Sequence, residues 1–266
     1  MKIAIYQCEG MPKNVEKNLK DLQRVANSAA EQGARLIIFP ELFLTGYNIG
    51  EAVIDLAERV NGQAAQKASS IAQEANIALL YGYPERFDKS VYNAAILIDH
   101  NGQTLANYRK THLFGSYEKR TFQAGDALVL AELEGLKIGI LICYDIEFPE
   151  AVRKLVFAEA GFIAVPTALM RPYCRIAETV VPTRAYESQI FVAYVNRCGS
   201  EGDLIYCGNS RIVGPDGEDV VRAGSKQGIF VADIDATAIT SARKNNPILA
   251  DLRTELYTAR VKDGLP

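Results

Sequence analysis

Histidine, tryptophan and closely paired cysteines are scarce in this chain. Its 266 residues include two histidines, five cysteines and no tryptophan. Neither histidine lies near a cysteine or carboxylate at metal-ligand spacing, and no Cys-x-x-Cys pair occurs, which argues against a structural metal site. An odd cysteine count in a chain this long also argues against a disulfide framework. We therefore predict no metal, no cofactor and a reducing, cytoplasmic location.

Clustered charge and long apolar runs are lacking as well. The 29 basic residues are balanced by 32 acidic residues, so no footprint for nucleic acid or an anionic membrane is visible. No apolar run approaches the roughly 20 residues that span a bilayer. The N-terminal residues 1–7 have a strand pattern without the ending of a cleaved signal. We expect neither a nucleic-acid nor a membrane partner.

With 48% hydrophobic residues, the chain can bury a sizeable core, and we expect one domain over residues 1–266. Strand and helix patterns alternate, beginning with a strand at 2–7, a helix capped by Asn14 and ended by Gly33, and a strand at 35–39. An Asn-Gly pair predicts a hairpin between strands at 91–99 and 103–108. Residues 110–126 are predicted to be a loop, and the tail at 245–266 lacks periodicity. The pattern is that of an α/β domain with a core at about 2–240.

The apolar run Leu136–Ile142 predicts a buried strand that ends at Cys143. Polar residues follow, and Pro149 can open a helix. Cys143 is therefore expected at a strand-to-helix elbow, where a thiol can be exposed beside a free backbone N–H. The alternative is that Cys143 is a small core side chain, because free cysteine is among the most buried residue types.

Two other strands also end at polar side chains. Glu41 follows the strand at 35–39, and Lys110 follows the strand at 103–108. A carboxylate can accept the thiol proton, the thiolate can attack a carbonyl or nitrile carbon, and a cation can stabilise the oxyanion. Spacing alone leaves it open whether Glu41, Lys110 and Cys143 meet. Otherwise Glu41 would be a helix-capping acid and Lys110 a solvated charge.

Three segments resemble the signature segments of the nitrilase, or carbon-nitrogen hydrolase, superfamily. They are Phe39-Pro-Glu-Leu-Phe-Leu-Thr-Gly-Tyr47, Tyr108-Arg-Lys-Thr-His-Leu-Phe114 and Cys143-Tyr-Asp-Ile-Glu-Phe-Pro-Glu150. Shorter matches include Arg184-Ala-x-Glu187, Asn196-Arg-x-Gly199 and Gly208-Asn-Ser210, and the resemblance covers about residues 2–240. Three ordered motifs are far more specific than a single pattern.

The resemblance implies a four-layer αββα sandwich and a catalytic role for each residue. It implies that Cys143 is the nucleophile that forms a thioester and that Glu41 is the general base. Lys110 and the backbone N–H of Tyr144 would stabilise the oxyanion. Glu118 matches a second glutamate that orients the lysine or the substrate.

The remaining histidines and cysteines match no catalytic role. His112 lies two residues after Lys110, so a Cys-His dyad is an alternative, although the family pattern gives this histidine no role as a base. His100 is expected on the surface. We predict free core or loop thiols at the remaining positions, namely Cys8, Cys174, Cys198 and Cys207.

The residues after the cysteine favour an amidase that hydrolyses a small carboxamide to a carboxylic acid and ammonia. Nitrile-hydrolysing members usually carry Trp-Glu there, whereas this chain has Tyr144-Asp145. The alternatives are an N-carbamoyl-amide hydrolase, a nitrilase, or a non-catalytic binding module on the same fold. The intact Glu41, Lys110 and Cys143 argue against the binding module.

Glu147 is the main candidate for specificity. Related ω-amidases carry at this position an arginine that binds a substrate carboxylate, so a glutamate favours an uncharged or amine-bearing acyl group. Alternatively, Glu147 pairs with Arg171, Arg175 or another cation. Further pocket candidates follow strand ends on the same side of the fold: Tyr47, Thr167, Ala168, Leu169 and Tyr173. The resemblance also implies a homodimer that pairs through the helix at 149–160.

Overall fold

A computed structural model describes residues 1–258 of the chain. The strands are β1 Lys2–Gln7, β2 Leu36–Ile38, β3 Ala78–Phe87, β4 Ser90–Ile98, β5 Thr104–Arg109, β6 Val129–Leu133, β7 Leu136–Ile140, β8 Phe162–Pro166, β9 Phe191–Val195, β10 Ser200–Glu201, β11 Leu204–Ile205, β12 Arg211–Val213, β13 Asp219–Arg222 and β14 Gly228–Asp233. The helices are α1 Val15–Glu31, α2 Ala52–Asp55, α3 Gln63–Ala75, α4 Gly115–Thr121, α5 Pro149–Phe157, α6 Val181–Ser188, α7 Thr237–Asn245 and α8 Glu255–Thr258. Cys143–Glu147 forms a 3-10 helix, and Ile176–Val180 forms a π-helical turn.

Two six-stranded sheets dominate the fold. The first has the order β14-β1-β2-β3-β4-β5, and the second has the order β13-β12-β9-β8-β7-β6. In each sheet the three central strands are parallel, namely β1 to β3 and β7 to β9, and the outer strands are antiparallel. The carboxyl ends of parallel strands share one sheet edge, where ligands bind in α/β folds.

The sheets pack face to face, and helices cover their outer faces. Along β1, Ile3 and Ile5 join the core between the sheets, whereas Ala4 and Tyr6 pack with α1 and α3. Side chains of α5 and α6 lie against the second sheet. The Leu155 side chain of α5 packs directly against Gly139 of β7, where a Cβ atom would lie only 2.9 Å from the Leu155 Cδ1. Alternation along a strand buries both faces of each sheet. The predicted four-layer αββα sandwich is confirmed.

Helix α1 forms as its sequence predicts. The Asn14 side chain accepts a hydrogen bond from the Lys17 backbone N–H at 3.0 Å and caps the helix. Apolar side chains at helical spacing face the sheet, including the fully buried Leu22 and Val25. Gly33, with φ of +83°, ends the helix. Among residues 1–258, no helix has the length and apolar character needed to cross a membrane.

Three α-helices were not predicted, namely α4, α7 and α8. Residues 110–126 were expected to be irregular, but Gly115–Thr121 forms α4. The prediction was wrong because the polar segment does not lie wholly in solvent: Glu118 of α4 is buried and bonded inside the protein. Helix α7 at 237–245 was also missed. Of the predicted tail, residues 245–258 are described and include α8, and residues 259–266 lie outside the described chain.

The expectation that Cys174 and Cys207 are free thiols was wrong. They form a disulfide whose Cα atoms lie 5.5 Å apart, although 33 positions separate them in sequence. The Cys207 backbone N–H donates to the Leu169 carbonyl at 2.9 Å, which brings the segment after β11 beside the segment after β8. An odd cysteine count requires only one unpaired cysteine, so the count could not exclude this pair. Cys8 and Cys198 are free and buried.

One glycine allows the first sheet to lie close to the turn after β2. A Cβ atom on Gly82 in β3 would lie 2.4 Å from the Leu42 backbone nitrogen and 2.8 Å from the Glu41 Cα. These are backbone atoms, which cannot rotate away as a flexible side chain can. The turn that carries Glu41 therefore requires glycine at position 82.

We predict that Gly82→Ala lowers the free energy of unfolding by about 1–3 kcal/mol, the usual cost of overpacking. Urea denaturation measures this loss. The matched control is Gly224→Ala, because a Cβ there meets no atom within 4 Å, and we expect a change of less than about 0.5 kcal/mol. Equal unfolding midpoints for the two variants would contradict the proposed close contact.

Candidate active site

The ends of β2, β5 and β7 bring Glu41, Lys110 and Cys143 to one edge of the sandwich. The Lys110 Nζ lies 2.7 Å from the Glu41 Oε1 and 2.7 Å from the Glu118 Oε1. Glu41, Lys110 and Glu118 are each 0% exposed, whereas Cys143 is half-buried and lines a pocket. The structure therefore places three buried charges beside a thiol that a small molecule can reach.

Glu41 is bonded through only one of its carboxylate oxygens. Its Oε1 accepts hydrogen bonds from Lys110 and from the Asn93 Nδ2 at 2.7 Å, and its Oε2 has no partner among residues 1–258. Burial raises the pKa of the Glu41 carboxyl; Lys110 and Asn93 oppose this rise, and Glu118 adds to it. A buried carboxylate with a raised pKa and one free oxygen has the properties of a general base.

Lys110 remains cationic because it lies between two carboxylates. Burial lowers its pKa, but Glu118 and Glu41 outweigh burial, and the pKa lies well above that of an ordinary lysine. An ammonium group has three N–H donors, and two of them bind the carboxylates. One N–H remains for a developing negative charge.

Cys143 sits at the strand-to-helix elbow that its sequence predicts. Its φ is +48°, a left-handed conformation that non-glycine residues rarely adopt. Burial raises the pKa of its thiol well above the ordinary value, and Glu41 adds to the rise, whereas Lys110 and a backbone hydrogen bond from Ala168 lower it. The resting sulfur is therefore a neutral thiol, which needs a base before it can attack.

Asp145 holds this elbow in place. Its fully buried carboxylate accepts hydrogen bonds from the Ile142 backbone N–H at 3.0 Å, the Tyr108 hydroxyl at 2.8 Å and the Thr111 hydroxyl at 2.9 Å. The His112 Nδ1 also lies 2.8 Å from it. The His112 ring stacks on Phe148 and lines a separate surface groove. This position pairs the histidine with Asp145, not with Cys143.

Glu118 is fully bonded within the protein. Its Oε1 accepts hydrogen bonds from Lys110 and, at 2.7 Å, from the Tyr47 hydroxyl. Its Oε2 accepts one from the Phe114 backbone N–H at 2.8 Å. Burial raises the pKa of Tyr47 well above its ordinary value, and Glu118 adds to the rise, so this phenol keeps its proton. Glu118 thus holds the ammonium group of Lys110 together with Glu41.

The pocket at Cys143 is small, with a volume of about 20 Å³. Its lining residues are Tyr47, Phe114, Cys143, Tyr144, Glu147, Leu169, Met170 and Tyr173. Two other predicted pocket residues do not line it: Thr167 is buried and donates to the Val165 carbonyl, and Ala168 contacts the thiol through its backbone. A cavity of this size holds about one water-sized group, which favours a short acyl chain.

Glu147 lies in the wall of this pocket. Burial raises the pKa of its carboxyl, and Arg184 and Lys110 oppose the rise. Arg184 donates to the Glu147 backbone carbonyl at 2.9 Å and pairs with Glu187. Within residues 1–258, the Glu147 carboxylate makes no ion pair with Arg171, Arg175 or another cation.

Sequence reasoning missed two residues at the site. Asn93 was treated as part of a strand, although an amide within the apolar run of β4 was an available signal. Phe114 was quoted in a motif, but its place in the pocket depends on α4, which was not predicted. No group of three or more histidine, cysteine or acidic side chains in the described part of the chain could hold a metal ion.

Comparison with known proteins identifies relatives that match nearly the whole chain. The carbon-nitrogen hydrolase family matches residues 2–244. The hydrolase in pqqF 5'region of Pseudomonas protegens is 49% identical over 260 residues, with coverage of 97% of this chain and 90% of the relative. The (R)-stereoselective amidase of a Pseudomonas species is 33% identical, with coverage of 96% and 93%.

A solved structure has the same fold. A mutant of the amidase from Nesterenkonia sp. AN1 has a TM-score of 0.84 and 32% identity, with coverage of 97% of this chain and 95% of that chain. That structure shows covalent addition of the acetamide moiety of fluoroacetamide at the active site cysteine. The resemblance to the nitrilase superfamily, on its amidase-like branch, is confirmed. The chain belongs to the carbon-nitrogen hydrolase family and is a hydrolase of carbon–nitrogen bonds other than peptide bonds.

Proposed function

We propose that this protein is an amidase that hydrolyses small carboxamides through a thioester on Cys143. The observation that carries the proposal is the free Oε2 of Glu41, the one carboxylate oxygen of the buried cluster that is left without a partner in the described chain. The neutral thiol lines the pocket, and the buried Glu41 and Lys110 lie close enough to act on its pKa. The amidase relatives support a carboxamide over other carbon–nitrogen substrates.

In acylation, Glu41 takes the thiol proton while the Cys143 sulfur bonds to the amide carbonyl carbon. The protonated Glu41 then gives its proton to the leaving nitrogen, the carbon–nitrogen bond breaks, and ammonia departs. In deacylation, Glu41 takes a proton from water, and the hydroxide bonds to the thioester carbon. The carbon–sulfur bond breaks, the sulfur regains a proton, and the acid leaves.

Lys110 and Tyr144 provide donors for the oxyanion that forms in both steps. Lys110 has one N–H left after it binds Glu41 and Glu118. The Tyr144 backbone N–H makes no hydrogen bond to another residue in 1–258. Donors that are already fixed in a dry site stabilise a developing charge without reorganisation. Glu118 acts through Lys110 and positions it.

The pocket favours a short acyl group that carries an amine. About 20 Å³ leaves little room beyond the reacting carbonyl, and Glu147 offers a carboxylate without an ion-pair partner in the described chain. A substrate ammonium group would neutralise this carboxylate. N-carbamoyl amides and nitriles remain the alternative substrates of the same catalytic groups.

The same proposal includes a homodimer that pairs through α5. Phe157 at the end of α5 and Tyr186 on the neighbouring α6 are large, exposed aromatic side chains. Exposed aromatic side chains on adjacent helices are typical of a protein contact surface.

We predict that the protein releases ammonia from a panel of short amides. Cys143→Ala should lower the rate of this release by at least about 10⁴-fold, because the nucleophile is removed. The panel also contains matched nitriles and N-carbamoyl compounds. Cys198→Ala removes another free cysteine and should retain turnover. Turnover of nitriles or carbamoyl compounds alone would contradict the amidase proposal, and silence throughout would favour the binding module.

We predict that Asn93→Ala shifts the acid limb of the kcat/KM profile to higher pH by about 1 unit. Glu41 must be ionised to act as a base. The Asn93 hydrogen bond lowers the Glu41 pKa, so removal of this bond raises that pKa and more alkaline solution is needed. Asn107→Ala is the control, because Asn107 bonds Glu85 instead. An unmoved acid limb would contradict the assignment of Glu41.

We predict that Glu147→Gln lowers kcat/KM for β-alaninamide about tenfold relative to butyramide, a neutral amide of equal chain length. The reason is that glutamine keeps the shape of the pocket but loses the charge that attracts the amine. Steady-state kinetics on both substrates give the ratio. Glu187→Gln, which removes a carboxylate paired with Arg184 outside the pocket lining, should leave the ratio unchanged. An unchanged ratio in Glu147→Gln would contradict the preference for amines.

A further inference from the structure

Arg197 is a fully buried cation that the proposed chemistry does not use. It lies two residues after the end of β9 and forms no ion pair within residues 1–258. Its guanidinium donates instead to three backbone carbonyls: Nε to Glu41 at 3.1 Å, Nη2 to Leu42 at 2.7 Å and Nη1 to Glu9 at 3.2 Å. A buried charge without a carboxylate partner is costly. Two of its three acceptors belong to the turn that carries the proposed general base.

This turn is strained and needs support. Leu42 has φ of +47°, a left-handed conformation that is unfavourable for a branched side chain. Arg197 binds the carbonyls on either side of the Leu42 Cα, those of Glu41 and of Leu42 itself. Position 10 is shaped to admit the guanidinium, because a Cβ on Gly10 would lie 2.5 Å from the Arg197 Nη1.

The preceding residue, Asn196, holds the other half of the site. Its Oδ1 accepts a hydrogen bond from the Leu169 backbone N–H at 2.7 Å, and its Nδ2 donates to the Leu169 carbonyl at 3.2 Å. Nδ2 also donates to the Gly208 carbonyl at 2.8 Å. Leu169 lines the same pocket as Cys143. The buried Asn196 amide therefore fixes a segment of the pocket wall beside the proposed nucleophile.

We propose that Asn196 and Arg197 form a positioning pair that sets the Glu41 carboxylate against the Cys143 thiol. Two consecutive residues just after β9 hold the turn of Glu41 on the first sheet and the pocket segment after β8 on the second. Since they share one rigid stretch of backbone, the separation of these two elements is fixed from a single point. The inference rests on the proposed roles of Glu41 and Cys143. A small misplacement of a catalytic base costs about 10- to 100-fold in rate.

Alkylation of Cys143 by chloroacetamide measures this positioning without amide turnover. The sulfur bonds to the methylene carbon, the carbon–chlorine bond breaks, chloride leaves, and the thiol proton passes to Glu41. With Glu41 in place, alkylation continues below the pH at which a free thiol ionises. With Glu41 displaced, the rate follows ordinary thiol ionisation and rises only toward alkaline pH.

The test uses Arg197→Lys and Gly10→Ala. Lysine keeps the charge but cannot bridge two carbonyls as a planar guanidinium does. Gly10→Ala leaves Arg197 in the chain and pushes on its Nη1. Gly33→Ala is the matched control, because its φ of +83° is close to the +78° of Gly10 but its nearest neighbour is the Lys2 Cδ at 3.6 Å. The two alanine variants carry similar backbone strain, and only Gly10→Ala adds the close contact with Arg197.

We expect neutral-pH alkylation and kcat to fall about 10- to 100-fold in Arg197→Lys and less in Gly10→Ala, with KM changed by less than about threefold. Gly33→Ala should match the wild type in both rates. If Arg197→Lys does not fold, the comparison of alkylation rates between Gly10→Ala and Gly33→Ala tests the proposal.

Two results would overturn the pair: wild-type alkylation profiles in the folded variants, or equal rate losses in Gly10→Ala and Gly33→Ala. A wild-type protein that is alkylated at neutral pH but hydrolyses no amide would count against the proposed function instead, and it would leave the positioning pair standing.

Discussion

The buried ammonium group of Lys110, held between two carboxylates, is the interaction on which the site depends. Glu41 and Glu118 both lie 2.7 Å from it and neither is exposed to solvent. Without a cation between them, two buried carboxylates could not both remain ionised. In the proposed mechanism, Lys110 therefore keeps Glu41 available as the base, and the buried site strengthens the interactions between these charges. Glu118 supplies the second negative charge that keeps Lys110 cationic.

The fold brings this cluster and Cys143, the proposed nucleophile, together from different sheets. Glu41 and Lys110 follow strands of the first sheet, whereas Cys143 and the segment after β8 belong to the second. The sandwich places the carboxyl ends of both sets of parallel strands at one edge. Two local contacts then hold the turn of Glu41 and the elbow of Cys143. Gly82 lies against the backbone of the turn, and the Asp145 carboxylate accepts a hydrogen bond from the Ile142 backbone N–H beside Cys143. Of Glu41, Lys110 and Cys143, only Cys143 lines the pocket.

Much of this arrangement could be predicted because it depends on local chemistry. Neighbouring residues predict the periodicity of α1, its Asn14 cap and the elbow at Cys143. The fold was predicted from three ordered motifs that resemble those of a known family. Distant pairings left no such signal. Cys174 and its partner Cys207 are 33 positions apart, with β9, β10 and β11 between them. Asn93 reaches Glu41 only when β4 lies beside β3. The burial of Glu118 could not be predicted either, because no local pattern shows that Lys110 and Tyr47 bind its carboxylate.

The central claim is that the amide carbonyl becomes a thioester on Cys143. Its most direct test is mass spectrometry of the protein mixed with a short amide and quenched in acid within one turnover, followed by peptide mapping. The account predicts one acyl group on the peptide that contains Cys143, which disappears with the release of free acid. Product formation with no adduct at any time, or an adduct on another residue, would contradict it.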